Sequence, residues 1–179
     1  MMDKSYIQIY TGDGKGKTTA AFGLAVRALC AGKSVYVGQF VKSMPYNEAR
    51  LETLLAIADP SFGRIHIEQL GRGCFIDKAP ETTDIELARI GLRHCAKLIK
   101  NGTYDIVILD ELCIAIYFGL LTTSEVLTVL KERNPHTEII ITGRKASQEL
   151  IAAADLVTEM REVKHYYNQG VLSRDGIDR

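Results

Sequence analysis

The chain has 179 residues, of which 46% are hydrophobic and 25% are charged, with 22 basic residues balanced by 22 acidic ones. This length suits a single compact domain spanning residues 1–179, and the ordinary composition argues against wholesale disorder and a collagen-like architecture. A formal net charge of zero argues against sequence-independent binding to nucleic acid, which requires a basic face.

In chain order the pattern predicts a strand at residues 5–10, a helix at 18–31, a strand at 35–40, a helix at 47–58, a strand at 64–69, a helix at 83–100, a strand at 105–109, a helix at 124–133, a strand at 138–142, a helix at 147–153 and a strand at 156–160. Asn47 is expected to be the N-cap of the second helix. Residues 164–179 have no clean period and are expected to form an irregular tail that packs on the domain. Strands separated by helices predict an α/β fold with a mostly parallel sheet covered on both faces.

The ends and the cysteines of the chain predict a cytoplasmic protein with no membrane segment. Residues 1–4 lead straight into the first strand, which leaves no room for a signal peptide. The apolar run at residues 106–109 is far shorter than the roughly 20 residues that span a bilayer. No cysteine has a C-x-x-C partner or a histidine at zinc-ligand spacing, so each is interpreted as a buried small hydrophobe in a reducing compartment: Cys30, Cys74, Cys95 and Cys113.

The Gly-rich stretch between the first strand and the first helix, residues 11–19 (TGDGKGKTT), carries the strongest chemical signal. A strand, a Gly-rich turn and a helix N-terminus in this order are typical of a phosphate-binding loop, since backbone N–H groups and the helix dipole favour an anion there. Lys17 would reach the phosphates, and the Thr18 hydroxyl could bind magnesium. The usual G-x4-G-K-S/T pattern fails at one position, where Thr11 replaces the first glycine. A Gly- and Lys-rich turn without a ligand is the alternative.

The ends of other predicted strands supply further candidates, because ligands of parallel sheets gather at the carboxyl ends of the strands. Asp110 and Glu111 follow the buried run 106–109, and either carboxylate could hold magnesium. Lys42 and Arg144 also follow strands, where they would meet phosphate or a ligand carboxylate, or else be ordinary solvated charges. Three histidines show no partner at a useful spacing and are interpreted as structural or exposed: His66, His94 and His136.

These residues resemble the ATP:cob(I)alamin adenosyltransferases of the corrinoid-pathway type, a family with a RecA-like P-loop fold. The resemblance covers residues 5–178. It is carried by residues 10–23 (YTGDGKGKTTAAFG), 39–42 (QFVK), 108–112 (ILDEL), 141–144 (ITGR), 154–161 (ADLVTEMR), 163–165 (VKH), 169–171 (QGV) and 174–178 (RDGID).

The resemblance implies transfer of the 5′-deoxyadenosyl group of ATP to the reduced cobalt of a corrinoid, with release of triphosphate. The acceptor would be cob(I)alamin, cobinamide or a cobyrinic acid derivative. Lys17 and Thr18 would be catalytic, and Thr18 and Glu111 would hold Mg²⁺ or Mn²⁺ with Asp110 in support. The resemblance also implies a reduced flavin or flavoprotein as electron donor and a homodimer. ATP would be bound by Gly12, Asp13, Gly14, Lys15, Gly16, Lys17, Thr18 and Thr19.

The sequence departs from the family pattern in the loop after the third strand. The family has an aromatic pair there, thought to exclude the lower axial ligand of cobalt, whereas residues 71–76 contain only Phe75 and the chain has no tryptophan. Corrinoid contacts are expected from Phe75, Lys42 and Arg144. Some relatives also carry an extra N-terminal segment that covers the site.

Two other functions stay open at this stage. A P-loop small-molecule kinase or NTPase would use the same loop for phosphoryl transfer and would produce ADP instead of triphosphate. A non-catalytic ATP-binding RecA-like module is disfavoured by the zero net charge and by the lack of a basic stretch interleaved with aromatic residues.

Overall fold

A computed structural model describes residues 4–42, 46–57, 59–72 and 80–178. Its sheet contains six strands: β1 (Ile7–Thr11), β2 (Val35–Gln39), β3 (Ile65–Gln69), β4 (Ile106–Asp110), β5 (Glu138–Thr142) and β6 (Leu156–Glu159). The strand order is β3-β2-β4-β5-β1-β6, and every pair of neighbours is parallel. The predicted α/β class with a parallel sheet is therefore confirmed, and the arrangement is consistent with a RecA-like domain.

Within the described residues, six α-helices connect or follow the strands: α1 (Lys17–Cys30), α2 (Leu51–Ala56), α3 (Thr82–Asn101), α4 (Leu112–Tyr117), α5 (Thr123–Lys131) and α6 (Gln148–Ala153). Short 3₁₀ helices cover Asn47–Arg50 and Tyr166–Gln169. The prediction of Asn47 as an N-cap is wrong, because Asn47 is the first residue of the 3₁₀ helix and Tyr46 caps it. No helix in the described ranges is both long enough and apolar enough to cross a membrane.

The helices cover both faces of the sheet, as the buried apolar strands predicted. Ala21 and Ala25 of α1 pack with Val37, Ile108 and Ile140 on one face, where α2 also lies. The core of the opposite face contains residues of α3, α4, α5 and α6. The connections from β1 to β2 to β3 run one way along the sheet, and the later ones run back. A constant handedness of crossover then places the two sets of helices on opposite faces.

The cysteines only partly match the expectation of burial. Cys95 and Cys113 are buried in the core, but Cys30 is exposed at the end of α1. The prediction for Cys30 is therefore wrong, because Cys30 lies on the outer side of its helix. Cys74 lies outside the described residues.

A side-chain bridge joins two strands at the edge of the sheet opposite the carboxyl ends. The carboxylate of Asp105 accepts hydrogen bonds from the backbone N–H (2.8 Å) and the hydroxyl (2.7 Å) of Ser34, which precedes β2. Burial raises the pKa of Asp105, but the Ser34 hydrogen bonds outweigh this effect and hold the pKa below 3.8. The ionised carboxylate therefore contributes stability above pH 3.8 that is lost as the pH falls through the lower folded pKa.

We expect Asp105→Ala to lower the free energy of unfolding by about 1 kcal/mol at neutral pH, because an exposed charged acceptor is partly screened by solvent. Thermal unfolding followed by circular dichroism should show the loss at pH 7 and show it shrink below pH 3.8. Ser34→Ala in the Asp105→Ala background should add little, since the shared hydrogen bonds are already absent. An equal loss at both pH values would contradict the assigned bridge.

Candidate functional site

The loops that leave the carboxyl ends of the strands meet at one edge of the sheet. The chain leaves β1 toward one face and leaves β4 and β5 toward the other, so a crevice opens between them. Among the described residues, the only non-glycine residues with positive φ lie just after strands at this edge: Val41 (59°), Glu111 (59°) and Lys145 (60°). Such backbone strain concentrates at functional sites.

The Gly-rich loop (residues 12–16) packs against the end of β6. Gly14 N–H donates to Met160 O (2.7 Å), and Met160 N–H donates to Thr11 O (2.8 Å). A Cβ built on Gly12 would lie 2.5 Å from Met160 O, and one on Gly14 would lie 2.7 Å from it. A side chain at Gly12 or Gly14 would therefore collide with the backbone that follows β6. Thr11 is the last residue of β1 and pairs with Glu159. The first position of the G-x4-G-K-S/T pattern therefore lies in a strand, where a glycine is not required.

Lys17 is the first residue of α1 and is only 6% exposed. Its Nζ donates a hydrogen bond to Gly14 O at 2.7 Å, which holds the amine inside the Gly-rich loop. Burial lowers the pKa of Lys17 below 10.5 and Arg144 acts in the same direction, while Glu111 opposes both. The backbone N–H groups of the first helical turn have no partner within the helix. The helix N-terminus and Lys17 therefore present positive potential at one place.

Two other loop residues expected to contact ATP are bonded to protein groups. Lys15 Nζ donates to Tyr166 Oη (2.9 Å) and to Ile177 O (2.9 Å), and it forms an ion pair with Asp178. Asp13 forms a salt bridge with Lys145 at 3.4 Å. Lys15 thus ties the C-terminal tail (residues 161–178) to the Gly-rich loop.

Asp110, the last residue of β4, is fully buried. One carboxylate oxygen accepts hydrogen bonds from the hydroxyls of Thr18 (2.9 Å) and Thr142 (2.7 Å). The other accepts from Lys42 Nζ (2.8 Å) and from Gln39 Nε2 (3.3 Å). An ionised carboxylate has about four lone-pair positions, and protein donors occupy that number here. Asp110 is therefore suited to orient Thr18 more than to bind a ligand directly.

The interpretation of Lys42 as a solvated surface charge is wrong. Its side chain is 11% exposed, and its Nζ lies 2.8 Å from the Asp110 carboxylate and 3.5 Å from that of Glu48. It also lies 4.5 Å from the ring centroid of Tyr46, within cation–π range. Burial lowers the pKa of Lys42, but the adjacent Asp110 outweighs burial and holds the pKa above 10.5. The Lys42 ammonium is therefore charged and forms a buried ion pair with Asp110.

Glu111 is half-buried and faces three adjoining cavities, which we name the strand-end cavity (about 760 Å³), the loop cavity (about 460 Å³) and the side cavity (about 470 Å³). Burial raises the pKa of Glu111 above 4.5, and the Asp110 charge adds to this, while Lys42, Lys17 and Arg144 oppose it. The residue pattern left the two carboxylates equivalent, and the family resemblance assigned the metal to Glu111 with Asp110 in support. In the structure Asp110 is enclosed and Glu111 faces space for a ligand.

The loop cavity and the strand-end cavity adjoin and share one wall. Residues 15–19 line the loop cavity, together with tail residues that include Tyr166. The strand-end cavity is lined by Ile114, Phe118 and Tyr46 among others. Four residues line both cavities: Glu111, Arg144, His165 and Tyr167. Arg144 is exposed, and its guanidinium forms no salt bridge within the described part of the chain, so it is available to a ligand.

The tail contributes site residues that the sequence reasoning missed. His165 and Tyr167 line both the strand-end cavity and the loop cavity, and Tyr166 lines the loop cavity. Residues 164–179 have no hydrophobic period, so pattern analysis could place no side chain there. The clustered His-Tyr-Tyr at 165–167 and the family-like motif at 163–165 were the signals available. Phe75, expected to contact the corrinoid, lies outside the described residues.

The histidines away from the site are exposed, as expected. His66 and His94 are half-exposed, but each has a carboxylate partner, Glu52 (3.0 Å) for His66 and Glu68 (3.4 Å) for His94. The interpretation of both as structural or exposed agrees with these positions, and their partners come from other elements, which sequence spacing does not reveal. His136 is exposed.

The oxygen donors at this edge fit a magnesium ion. Glu111 offers a carboxylate, and the Thr18 hydroxyl is oriented by Asp110. No three His, Cys, Asp or Glu side chains cluster as a metal site in the ranges that the structure describes. Mg²⁺ typically binds through one or two carboxylates together with substrate phosphates and water. The donor set therefore suits an ion that arrives with a nucleotide.

Comparison with known proteins agrees with this geometry. Residues 3–178 match the family model described as ATP:corrinoid adenosyltransferase BtuR/CobO/CobP. The corrinoid adenosyltransferase of Escherichia coli (strain K12) is 35% identical over 177 residues, covering 98% of this chain and 86% of the relative. The corrinoid adenosyltransferase CobA of Salmonella typhimurium is 34% identical with the same coverage. That of Sinorhizobium sp is 34% identical, covering 98% of this chain and 81% of the relative. The chain belongs to the ATP:corrinoid adenosyltransferase family.

Proposed function

We propose that this protein transfers the 5′-deoxyadenosyl group of ATP to the reduced cobalt of a corrinoid and releases triphosphate. The observation that carries the proposal is the shared wall of Glu111, Arg144, His165 and Tyr167 between the loop cavity and the strand-end cavity. A transfer between two substrates requires adjoining sites, and this arrangement supplies them.

The loop cavity suits the triphosphate of ATP. Lys17 and the N-terminus of α1 present positive potential there, and Thr18 and Thr19 line the same space. Negative charge builds on the triphosphate as it departs, so the buried Lys17 amine would stabilise the transition state more than the ground state. Gly12, Asp13, Gly14, Lys15 and Gly16 complete the proposed ATP-binding set. Lys15 and Asp13 would have to release their present protein partners before they could contact ATP directly.

Thr18 and Glu111 would hold Mg²⁺ or Mn²⁺, and Asp110 would support them by accepting the Thr18 hydrogen bond. The ion would neutralise charge on the triphosphate oxygens. The chain itself keeps the Glu111 carboxylate half-buried beside Lys17 and Arg144, which favour its ionised form. This positive charge opposes burial and the Asp110 charge, which together raise the pKa of Glu111, and a bound cation would favour the ionised form further.

The strand-end cavity suits part of a corrinoid. Its volume of about 760 Å³ lies within the range of ligand sites, and its apolar and aromatic walls suit a large ring system. The cobalt electron pair would form the new bond to the 5′ carbon as the carbon–oxygen bond to triphosphate breaks. No side-chain nucleophile is needed, so the protein would act by holding the two substrates in line.

Arg144 lines both cavities and is the best-placed of the proposed corrinoid contacts. Lys42 also lines the strand-end cavity, but its bond to Asp110 assigns it a supporting role. Phe75 remains a sequence-based proposal. By family resemblance we further propose a reduced flavin or flavoprotein as electron donor, a homodimer, and action in the cytoplasm without nucleic acid or membrane partners.

The test is an anaerobic assay with ATP, magnesium and chemically reduced cob(I)alamin, repeated with cobinamide. We expect a light-sensitive alkylated corrinoid to form, with one triphosphate released for each corrinoid alkylated. The corrinoid is followed by its visible spectrum and the phosphate product by ion-exchange chromatography. Accumulation of ADP with no spectral change for either corrinoid would instead assign the site to a kinase or NTPase.

A further inference from the structure

Thr142, the last residue of β5, links two consecutive residues of the neighbouring strand end. It is fully buried. Its hydroxyl accepts a hydrogen bond from the backbone N–H of Glu111 (2.9 Å) and donates one to the Asp110 carboxylate (2.7 Å). Both bonding directions of the hydroxyl are therefore used, one on each of the adjacent acidic residues.

The bond to Glu111 occurs where the backbone is strained. Glu111 has φ 59° and ψ 22°, the left-handed conformation that non-glycine residues rarely adopt. The register of β4 with β5 runs as far as Leu109 opposite Ile141, so Glu111 lies beyond it. The Thr142 hydroxyl supplies the partner that its N–H requires.

The chain after Thr142 packs tightly on the same turn. Gly143 has φ 136°, and a Cβ built on it would lie 2.8 Å from Cys113 Cβ and 3.1 Å from Cys113 N. Cys113 is the second residue of α4, which begins immediately after Glu111. The end of β5 is therefore close enough to hold the turn that carries Glu111.

We propose that Thr142 is a positioning residue that aims the Glu111 carboxylate at the metal–ATP complex. This inference rests on the proposed function. The direction of the Glu111 side chain depends on its left-handed backbone, and Thr142 holds that backbone through the N–H while fixing Asp110 beside it. Without the hydroxyl, the turn loses its partner and Glu111 is free to leave the cavities that it now faces.

The experiment compares Thr142→Val, which keeps the side-chain shape but loses the hydroxyl, with Thr142→Ser, which keeps it. ATP binding is measured by isothermal titration calorimetry in magnesium and again in EDTA. We expect Thr142→Val to weaken binding by roughly 10–100-fold in magnesium, as loss of an outer-shell partner does. Binding in EDTA should change little, and Thr142→Ser should bind as the unaltered protein does.

Thr137→Val is the matched control, because Thr137 is also buried and its hydroxyl bonds to Tyr104 O, but it precedes the opposite end of β5. It should leave ATP binding unchanged. Thr142→Cys, a milder change with a weak donor, should show a smaller magnesium-specific loss and serves if Thr142→Val does not fold. Thermal unfolding of each variant verifies a native fold.

The Glu111→Gln background identifies the route of the effect. If Thr142 acts through Glu111, Thr142→Val should add no further loss to Glu111→Gln in magnesium. Unchanged binding by folded Thr142→Val, an equal loss in EDTA, or a full additional loss in the Glu111→Gln background would each overturn the inference. The proposed function fails separately, if the unaltered protein binds magnesium and ATP but forms no triphosphate with either corrinoid.

Discussion

Lys17→Ala is expected to lower kcat/KM for ATP in corrinoid adenosylation by about 10²–10³-fold, the cost of removing one preorganised group that stabilises developing charge. Lys17 is the buried amine at the centre of the Gly-rich loop. Burial lowers its pKa, so the fold disfavours the ionised form and gains nothing in stability from the charge itself. The variant should therefore retain a native circular-dichroism spectrum and a similar unfolding temperature.

Lys15→Ala is the matched control for this prediction, because it removes a second lysine from the same loop. Lys15 bonds to Tyr166, Ile177 and Asp178, so its loss should loosen the tail and weaken ATP binding. It should leave the chemical step far less affected than Lys17→Ala does. Single-turnover kinetics at saturating ATP separate the two effects. Near-normal turnover by natively folded Lys17→Ala would contradict the role assigned to the loop.

Glu111→Gln is expected to lower turnover by about 100-fold while leaving the protein at least as stable. The amide keeps the size of the side chain but loses the negative charge that would hold the metal ion. We expect the magnesium concentration needed for half-maximal activity to rise, and added magnesium to restore only part of the activity. Initial rates measured across a magnesium titration provide the check.

The stability of Glu111→Gln follows from the pKa of Glu111. Burial raises that pKa above 4.5, so the ionised carboxylate is disfavoured in the folded protein at neutral pH. Replacing it with a neutral amide removes this cost. In EDTA at pH 7 the unfolding temperature should rise by up to about 3 °C, the shift that about 1 kcal/mol gives in a chain of this size. The difference should shrink as the pH falls and Glu111 itself becomes protonated.

Asp110→Asn is the contrasting variant one residue away. Asp110 is fully buried and paired with Lys42, whose side chain is 11% exposed. Removing one partner leaves a buried charge uncompensated, which typically costs about 3–5 kcal/mol. We therefore expect Asp110→Asn to lower the unfolding temperature where Glu111→Gln does not. Equal stability of the two variants would contradict their assigned environments.

Much of the fold follows from local patterns in the chain. All six strands lie within about two residues of the predicted ranges, and the parallel sheet with helices on both faces agrees with the prediction. The exception among the α-helices is α4, Leu112–Tyr117, which pattern analysis missed. Its six apolar residues begin just after Asp110 and Glu111, and they are too few to show a helical period.

The roles of the individual site residues were harder to predict from the sequence. The residue pattern placed Asp110, Glu111, Lys42 and Arg144 at strand ends, but only the family resemblance distinguished Glu111 from Asp110. The distinction depends on Lys42, which is 68 residues from Asp110 in the chain and 2.8 Å from it in space. It depends also on Thr142, 32 residues away. Local periodicity in the sequence cannot predict contacts between residues so far apart in the chain.

The sequence by itself determined the alternation of strands and helices, the Gly-rich loop between β1 and α1, and the acidic pair after β4, because short-range periodicity and residue type carry this information. Only the tertiary structure decided which carboxylate faces a cavity, that Lys42 pairs with Asp110, and that the tail lines the loop cavity and is bonded to Lys15. The contact of Lys15 with Asp178 spans 163 residues. Such contacts depend on the order of strands in the sheet and on the path of the tail, which only packing of the whole chain establishes.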